Sequence, residues 1–276
     1  MLKLWLRAFG QGAALVGVLG AAFFTYKQIV SPRRPRTPAK RVVHIFYDKE
    51  IEEAVAPHAA RETLSAWKYN WRLAGWHPRI LTTFDSQHSS LHDDLVHALS
   101  LARYKHASEK ETSCLMRYVA MAAVGGGWLS DIDTVPTNLQ PGRDLPNNGN
   151  FTVFENEFAS MMSGTRVEFE RVLRVLLRRL RKGKVSTGVP GVCSDKHTLR
   201  TMVAEGQILS MRLVIPADFW SDTATCANMT NNRSFAIQFS QASIENLGYL
   251  VDGRGALMNR TMDRWRACRN KNTLVV

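Results

Sequence analysis

Two aspartates, Asp131 and Asp133, close a short apolar stretch, Trp128-Leu129, that follows three consecutive glycines, Gly125-Gly126-Gly127. In extended chain, residues i and i+2 point to the same side, about 6.6 Å apart. Two carboxylates so placed can converge on one hard divalent cation, directly or through a water or a ligand hydroxyl. Upstream, Arg117-Tyr118 opens an apolar run, Val119 to Val124, that stops at the glycines. The carboxylates therefore end a unit of helix, glycine turn and strand. Open α/β sheets bind ligands beyond the carboxyl ends of their strands, where this pair falls. Consecutive glycines also let backbone approach a ligand or a neighbouring strand closely. Aspartate is common in solvated turns at strand ends. From these residues alone, Asp131 and Asp133 are candidate ligands for a divalent cation, with Arg117 one helix earlier.

Positioning such a pair requires a sheet, and the sequence predicts one. Arg41-Val42-Val43-His44-Ile45-Phe46-Tyr47 reads as a buried strand ending at Asp48, and Arg79-Ile80-Leu81-Thr82 as a second. A helical stretch over residues 51 to 73 lies between them. Ser108-Glu109-Lys110-Glu111 has the form of a capping box opening a helix with Leu115, Tyr118, Val119 and Ala122 on one face, stopped at Gly125. Thr165-Arg166-Val167-Glu168 has the same form. It opens a helix with Phe169, Val172, Leu173, Leu176, Leu177 and Leu180 turned inward and arginines outward. Strands alternating with helices predict an α/β domain with a largely parallel sheet.

The 276 residues allow one large domain and an appendage. Ala8 to Tyr26 carries no charge, and as a helix would span roughly 29 Å, near a bilayer's hydrocarbon thickness. The expected organisation is a short tail over 1–7, a transmembrane signal anchor over 8–26, a basic proline-containing linker over 27–40, and the main domain over 41–276. A cleaved signal peptide, with Gly20-Ala21-Ala22 at the cut, is the rival. Flanking charge and sequons disagree about orientation. More Lys and Arg follow the segment than precede it, which places the domain in the cytoplasm. Asn-x-Ser/Thr sequons at Asn150, Asn228, Asn232 and Asn259 are acceptors only in the secretory lumen. Cys114, Cys193, Cys226 and Cys268 contain no C-x-x-C element, which argues against zinc and leaves disulfides or buried thiols. The net charge of +12 concentrates in the linker and over residues 171 to 184, without interleaved aromatics, so no nucleic-acid partner is expected.

The run of Arg117-Tyr118, apolar residues, Gly-Gly and Asp-x-Asp resembles the sugar-binding region of DXD-motif glycosyltransferases. These are the glycosyltransferase family 32-like enzymes, related to initiating α-mannosyltransferases. Val43-His44-Ile45-Phe46 is similar to that family's opening strand. Trp67, Trp71 and Gly75-Trp76, followed by Arg79-Ile80-Leu81 and Asp85, are similar to a later segment. Phe158 to Gly164 and Thr187 to Gly191 echo two more, so the resemblance covers roughly residues 41 to 200 and leaves the last seventy or so unplaced. It implies a glycosyltransferase-A-like fold, Rossmann-like with a mostly parallel sheet flanked by helices. It also implies a retaining hexosyl transfer from a UDP- or GDP-hexose to a glycan, glycoprotein or glycolipid. The enzyme would be a single-pass type II membrane protein of the Golgi, using Mn²⁺ or Mg²⁺.

By the same resemblance Asp133 ligates the metal, and Asp131 contacts the sugar, the ribose or the metal through water. Arg117 holds Asp131 or reaches the donor. His44 and Asp48 lie by the base or ribose, and Tyr118, Gly126 and Gly127 line the donor. Glu155 and Glu157 are candidates for a nucleophile. Three departures stand out. Cys114 replaces the family's aspartate three residues before the arginine. The glycine turn has one extra glycine. No histidine follows His197, where the family carries a late one near the metal, so Asp222 or Asp252 would have to substitute. Two other readings remain. Asp131-Ile132-Asp133-Thr134-Val135 fits the first motif of haloacid-dehalogenase-like phosphatases, which predicts a long strand just before it. A degenerate transferase fold acting as a binding module is the other.

Overall fold

The computed structural model describes residues 41–53, 56–100, 109–142, 144–155, 159–182, 195–220 and 224–273, all within one unit, Lys40–Val276. The expected tail, anchor and linker, the stretch 187–191, and Ser108, Glu157, Phe158, Cys193 and Asp222 lie outside these residues. Among the described residues no helix is long and apolar enough to cross a membrane.

The fold is mixed α/β, with a mostly parallel central sheet flanked by helices. In chain order its main elements begin with β1 (Val42–Phe46), α1 (Pro57–Leu73), β2 (His77–Leu81), α2 (His92–Ser100), α3 (Glu109–Ala123) and β3 (Gly126–Ser130). Then come β4 (Thr134–Pro136), β5 (Thr152–Val153), β6 (Met161–Thr165), α4 (Arg166–Arg181) and α5 (Asp195–Ala204). The last part holds β7 (Leu209–Ser210), β8 (Val214–Pro216), α6 (Cys226–Asn231), β9 (Ala236–Gln238), α7 (Gln241–Asn246) and α8 (Arg254–Thr273). Six strands form the main sheet in the order β2-β1-β3-β6-β5-β7, and β4-β9-β8 form a smaller one. β1 pairs in parallel with both β2 and β3, as the alternating strand and helix pattern predicts. β6 departs from that pattern, running antiparallel to β3 and to β5.

Alternation along each strand divides the core in two. Val43, Ile45, Trp128 and Met161 face Trp67 and Trp71 of α1 and Leu257, Met258 and Trp265 of α8. Leu129 and Met162 face Leu115 and Val119 of α3 and Phe169 and Leu173 of α4. The inward face predicted for α4 is buried throughout, from Phe169 to Leu180. At about 1.5–3 kcal/mol per buried side chain, its six apolar residues supply roughly 9–18 kcal/mol, less to the extent that the unfolded chain already buries them.

The capping box predicted at Thr165 is not made. The Thr165 side chain caps no amide, and Glu168 instead accepts from Phe151 N at 2.9 Å and pairs with Arg171 at 2.7 Å. A distant backbone amide and a guanidinium together outcompete one local amide for that carboxylate. The helical stretch predicted over 51 to 73 is also split, into a single turn, Lys49–Glu52, and α1 starting at Pro57, which tolerates only a first-turn position.

Candidate active site

β3 delivers the two aspartates. It lies between β1 and β6, with His44 opposite Leu129 and Met161 opposite Ser130. Beyond Ser130 the chain bends. Asp131 N donates to Ser160 O at 2.7 Å, Thr134 N donates to Asp131 O at 3.1 Å, and β4 then enters the smaller sheet. Asp131-Ile132-Asp133 is therefore a turn joining the two sheets, which corrects the expectation of an extended pair facing one way.

The tryptophans of α1 hold both shoulders of this turn. Trp67 Nε1 donates to Ser130 Oγ at 2.9 Å and Trp71 Nε1 to Thr134 O at 3.0 Å, while Trp76 Nε1 reaches Leu139 O at 3.2 Å. Four residues of helix rise about 6 Å, against about 13 Å for four residues of strand. Trp67 and Trp71 can meet residues 130 and 134 in step because the chain between them is bent. All three indoles are core residues, at 0%, 0% and 4% exposure, so none of them offers a face for stacking a sugar.

Arg117, on α3, anchors Asp131. Its Nη1 donates to Asp131 Oδ1 at 2.8 Å and its Nη2 to Asp195 Oδ2 at 2.6 Å. Tyr118 OH donates to the same Asp195 oxygen at 2.7 Å. Asp195 begins α5 and is 1% exposed. Burial alone would lower the Arg117 pKa. Asp195, Tyr118 and Asp131 more than reverse that, so the guanidinium stays charged. Burial, and then Asp195, push the Tyr118 phenol well above its ordinary value, so it is a neutral donor. Tyr118 itself is wholly buried beside Phe151, with its hydroxyl turned to Asp195.

Asp133 has different surroundings. Its side chain is 14% exposed, with Arg254 Nη1 at 4.0 Å from Oδ2 and Thr134 Oγ1 donating to Oδ1 at 3.4 Å. Burial raises its pKa, opposed by Arg254, Gln238 and Thr134. Glu155, just after β5, accepts from Ser160 Oγ at 2.5 Å. Its pKa is pushed up to about 7, by burial first and then by the charges of Asp131 and Asp133, against Ser160 and Lys196. Glu155 thus feels the charges of Asp131 and Asp133, which a cation beside them would offset.

The donor set suits a hard divalent ion, being all carboxylate oxygen. Among the described residues no three His, Cys, Asp or Glu side chains form a ligand cluster. Mg²⁺-type sites need only one or two carboxylates, because substrate phosphates and water complete the shell. Asp133, with Asp131, fits that requirement.

The remaining candidates divide by sheet edge. Asp48 follows β1 at the carboxyl edge that Asp131 shares, since β1, β2 and β3 are parallel. It accepts from Thr83 Oγ1 at 2.7 Å and from Glu50 N at 3.2 Å. His44 lies within the sheet, 6% exposed, with its Nδ1–H donating to the Trp128 carbonyl at 3.1 Å. Burial lowers its pKa to about 4, so it is neutral at pH 7. Gly126 and Gly127 open β3, and the structure does not bring them to the carboxylates, which lie about 13–16 Å along the strand. Both have positive φ, 82° and 124°. A Cβ at Gly126 would fall 2.5 Å from Gly164 O, and one at Gly127 3.5 Å from the His44 ring. These glycines admit β6 and His44 to the strand. Asp252 is exposed, and Cys114 is disulfide-bonded.

Three participants carried no sequence signal of their own. Asp195 reads as an ordinary helix-start aspartate, and Gln238 and Arg254 come from the stretch that the resemblance leaves unplaced. β8, β9 and α8 fold that stretch back onto Asp133, with Phe239 N donating to Asp133 O at 2.8 Å. No family model and no curated protein matches the sequence.

Proposed function

We propose that the chain is a nucleotide-sugar-dependent hexosyltransferase with a glycosyltransferase-A-like domain, acting with Mn²⁺ or Mg²⁺ on a glycan, glycoprotein or glycolipid acceptor. The observation that carries this reading is the ion-pair relay Asp195–Arg117–Asp131, which aims one carboxylate at the carboxyl edge of β3 beside the less exposed Asp133. Asp133, with Asp131, would hold the cation, whose positive charge would stabilise a diphosphate leaving group. The chain's own residues supply position. Asp195 and Tyr118 keep Arg117 charged and pointed, and Arg117 fixes the Asp131 carboxylate for a sugar or ribose hydroxyl. Trp67 and Trp71 stop the turn from relaxing. Asp48, at the same edge, lies where the nucleoside would rest. Glu155, half protonated near pH 7, is placed to exchange a proton with an acceptor hydroxyl or to face the anomeric carbon.

The phosphatase reading finds less support. It needs Asp131 as a nucleophile, and Arg117, donating to Oδ1, damps the nucleophilicity of that carboxylate. The strand before it is only five residues and is flanked on one side by an antiparallel neighbour.

The disulfide Cys226–Cys268, together with the disulfide-bonded Cys114, favours an oxidising compartment. It sides with the sequons against the flanking charge. A type II protein anchored through residues 8–26 with its domain in the Golgi lumen accommodates the disulfides and the sequons.

The deciding experiment is binding and hydrolysis of UDP- and GDP-sugars by the full chain in detergent, with and without Mn²⁺, beside Asp133→Ala. Metal-dependent turnover or binding of one donor, lost in the variant, is the expected result. A folded protein that binds no donor under either condition refutes the reading.

A further inference from the structure

The environment of Asp133 contains a cation that no part of the relay uses. Arg254 stands 4.0 Å from Asp133 Oδ2, close enough for attraction and too far for a hydrogen bond. Its side chain is 16% exposed, yet its buried Nε has no hydrogen-bond partner among the described residues. A guanidinium carries five donors, and leaving them unmade in a desolvated place is costly. The position is not explained by helix stability either. Arg254 is the first residue of α8, the positive end of a 20-residue helix, where the dipole disfavours a cation. Asp133 explains the location, and the buried, unpartnered Nε shows that Asp133 alone does not satisfy the guanidinium.

We propose that Arg254 is the internal counter-ion of Asp133, which an incoming divalent cation displaces and the donor's diphosphate then receives. This rests on the transferase reading and adds a diphosphate-binding residue to it. A cation ligated by Asp133 removes the attraction that holds Arg254 and repels the guanidinium. A diphosphate bridging the cation restores balance, since its oxygens match the planar fork of an arginine. Cation and diphosphate therefore bind with positive coupling, each raising the other's affinity by the same factor. Asp131 has its own cation in Arg117, so each aspartate keeps a separate charge partner. Only the one at Asp133 is loosely held.

The test is calorimetry on the full chain in detergent, with Mn²⁺ and inorganic pyrophosphate titrated singly and together, free concentrations being corrected for their complex in solution. In the wild type, Mn²⁺ is expected to bind at least tenfold more tightly with pyrophosphate present. Arg254→Gln, checked for folding by circular dichroism, should bind Mn²⁺ alone about tenfold more tightly and pyrophosphate at least tenfold more weakly. Its coupling should shrink to within threefold. Arg254→Lys keeps the charge and loses the fork, so Mn²⁺ affinity should stay within threefold while pyrophosphate weakens severalfold. Independent binding of the two probes by the wild type, or an Arg254→Gln protein that binds both as the wild type does, overturns the proposal. If the glutamine variant does not fold, unchanged pyrophosphate affinity and coupling in Arg254→Lys overturns it. The transferase reading fails separately, if sugar nucleotides do not bind where Mn²⁺ and pyrophosphate do. A wild type that binds neither probe refutes both.

Discussion

Replacing Asp195 by asparagine changes no volume and removes one charge from the most buried part of the site. Among the described residues Arg117 then keeps only Asp131, which is itself 37% exposed, as a counter-ion. The new amide offers a single carbonyl oxygen where two donors had met one carboxylate oxygen. Breaking a buried ion pair by removing one partner costs ~3–5 kcal/mol. That carbonyl oxygen can still accept from Arg117 and Tyr118, and only the charge is lost, so the cost falls near the lower end, about 3 kcal/mol. A domain of this size loses roughly 2–4 °C of melting temperature per kcal/mol, which predicts a fall of about 6–12 °C for Asp195→Asn.

The assay is thermal denaturation of the full chain in detergent, followed by near-ultraviolet circular dichroism, for Asp195→Asn, Arg117→Met and the double variant. A coupling of at least ~2 kcal/mol between the two positions is expected, because the double variant no longer strands a buried charge. Mn²⁺-dependent donor binding should weaken about tenfold in Asp195→Asn, since a loosened Arg117 no longer holds Asp131. A melting shift under about 2 °C, or effects that add within about 0.5 kcal/mol, would refute the relay as a coupled unit.

Trp71→Phe keeps most of the ring but leaves the buried Thr134 carbonyl without its donor, which costs about 2 kcal/mol. An unchanged urea midpoint would show that the indole does not clamp the turn. Glu155 titrates near 7 in the fold against an ordinary 4.5, so between those values the native chain holds a proton that the unfolded chain releases. Stability should therefore fall as pH rises across that window, by up to ~3 kcal/mol before discounting residual exposure. Unfolding free energies at pH 5 and 7.5 should differ less in Glu155→Gln, and an identical difference would exclude the effect. Cys226–Cys268 closes a separation of 42 residues, for which chain entropy gives about 4 kcal/mol. The double alanine variant should melt about 8–16 °C lower, and an equal melting temperature would mean that the bridge adds nothing.

Local chemistry was legible where period and punctuation agreed. Val43 and Ile45 alternate with His44 in β1. The six apolar residues of α4 fall at helical spacing, and α3 stops at glycines with positive φ. Sequence pattern misled where a local partner lost to a distant one. Glu168 lies in register for a capping box, yet it bonds Phe151 and Arg171, because both donors reach it in the folded chain. The antiparallel placement of β6 depends on a close approach of Gly164 to Gly126, a contact between residues that are far apart in sequence. β7, β8 and β9 are two or three residues long, too short to show a period.

By itself the sequence determined an α/β sheet, the position of Asp131 and Asp133 at a strand end, and Arg117 one helix earlier, because these depend on spacing within about twenty residues. Tertiary structure alone decided that the aspartates sit in a turn with separate counter-ions. Asp195 arrives from α5 and Arg254 from α8, and burial then gives each carboxylate a distinct charge environment. Such pairings are made by chain reversals over tens to more than a hundred residues. No local pattern encodes them, because their energy comes from desolvation and charge that exist only once the core has closed.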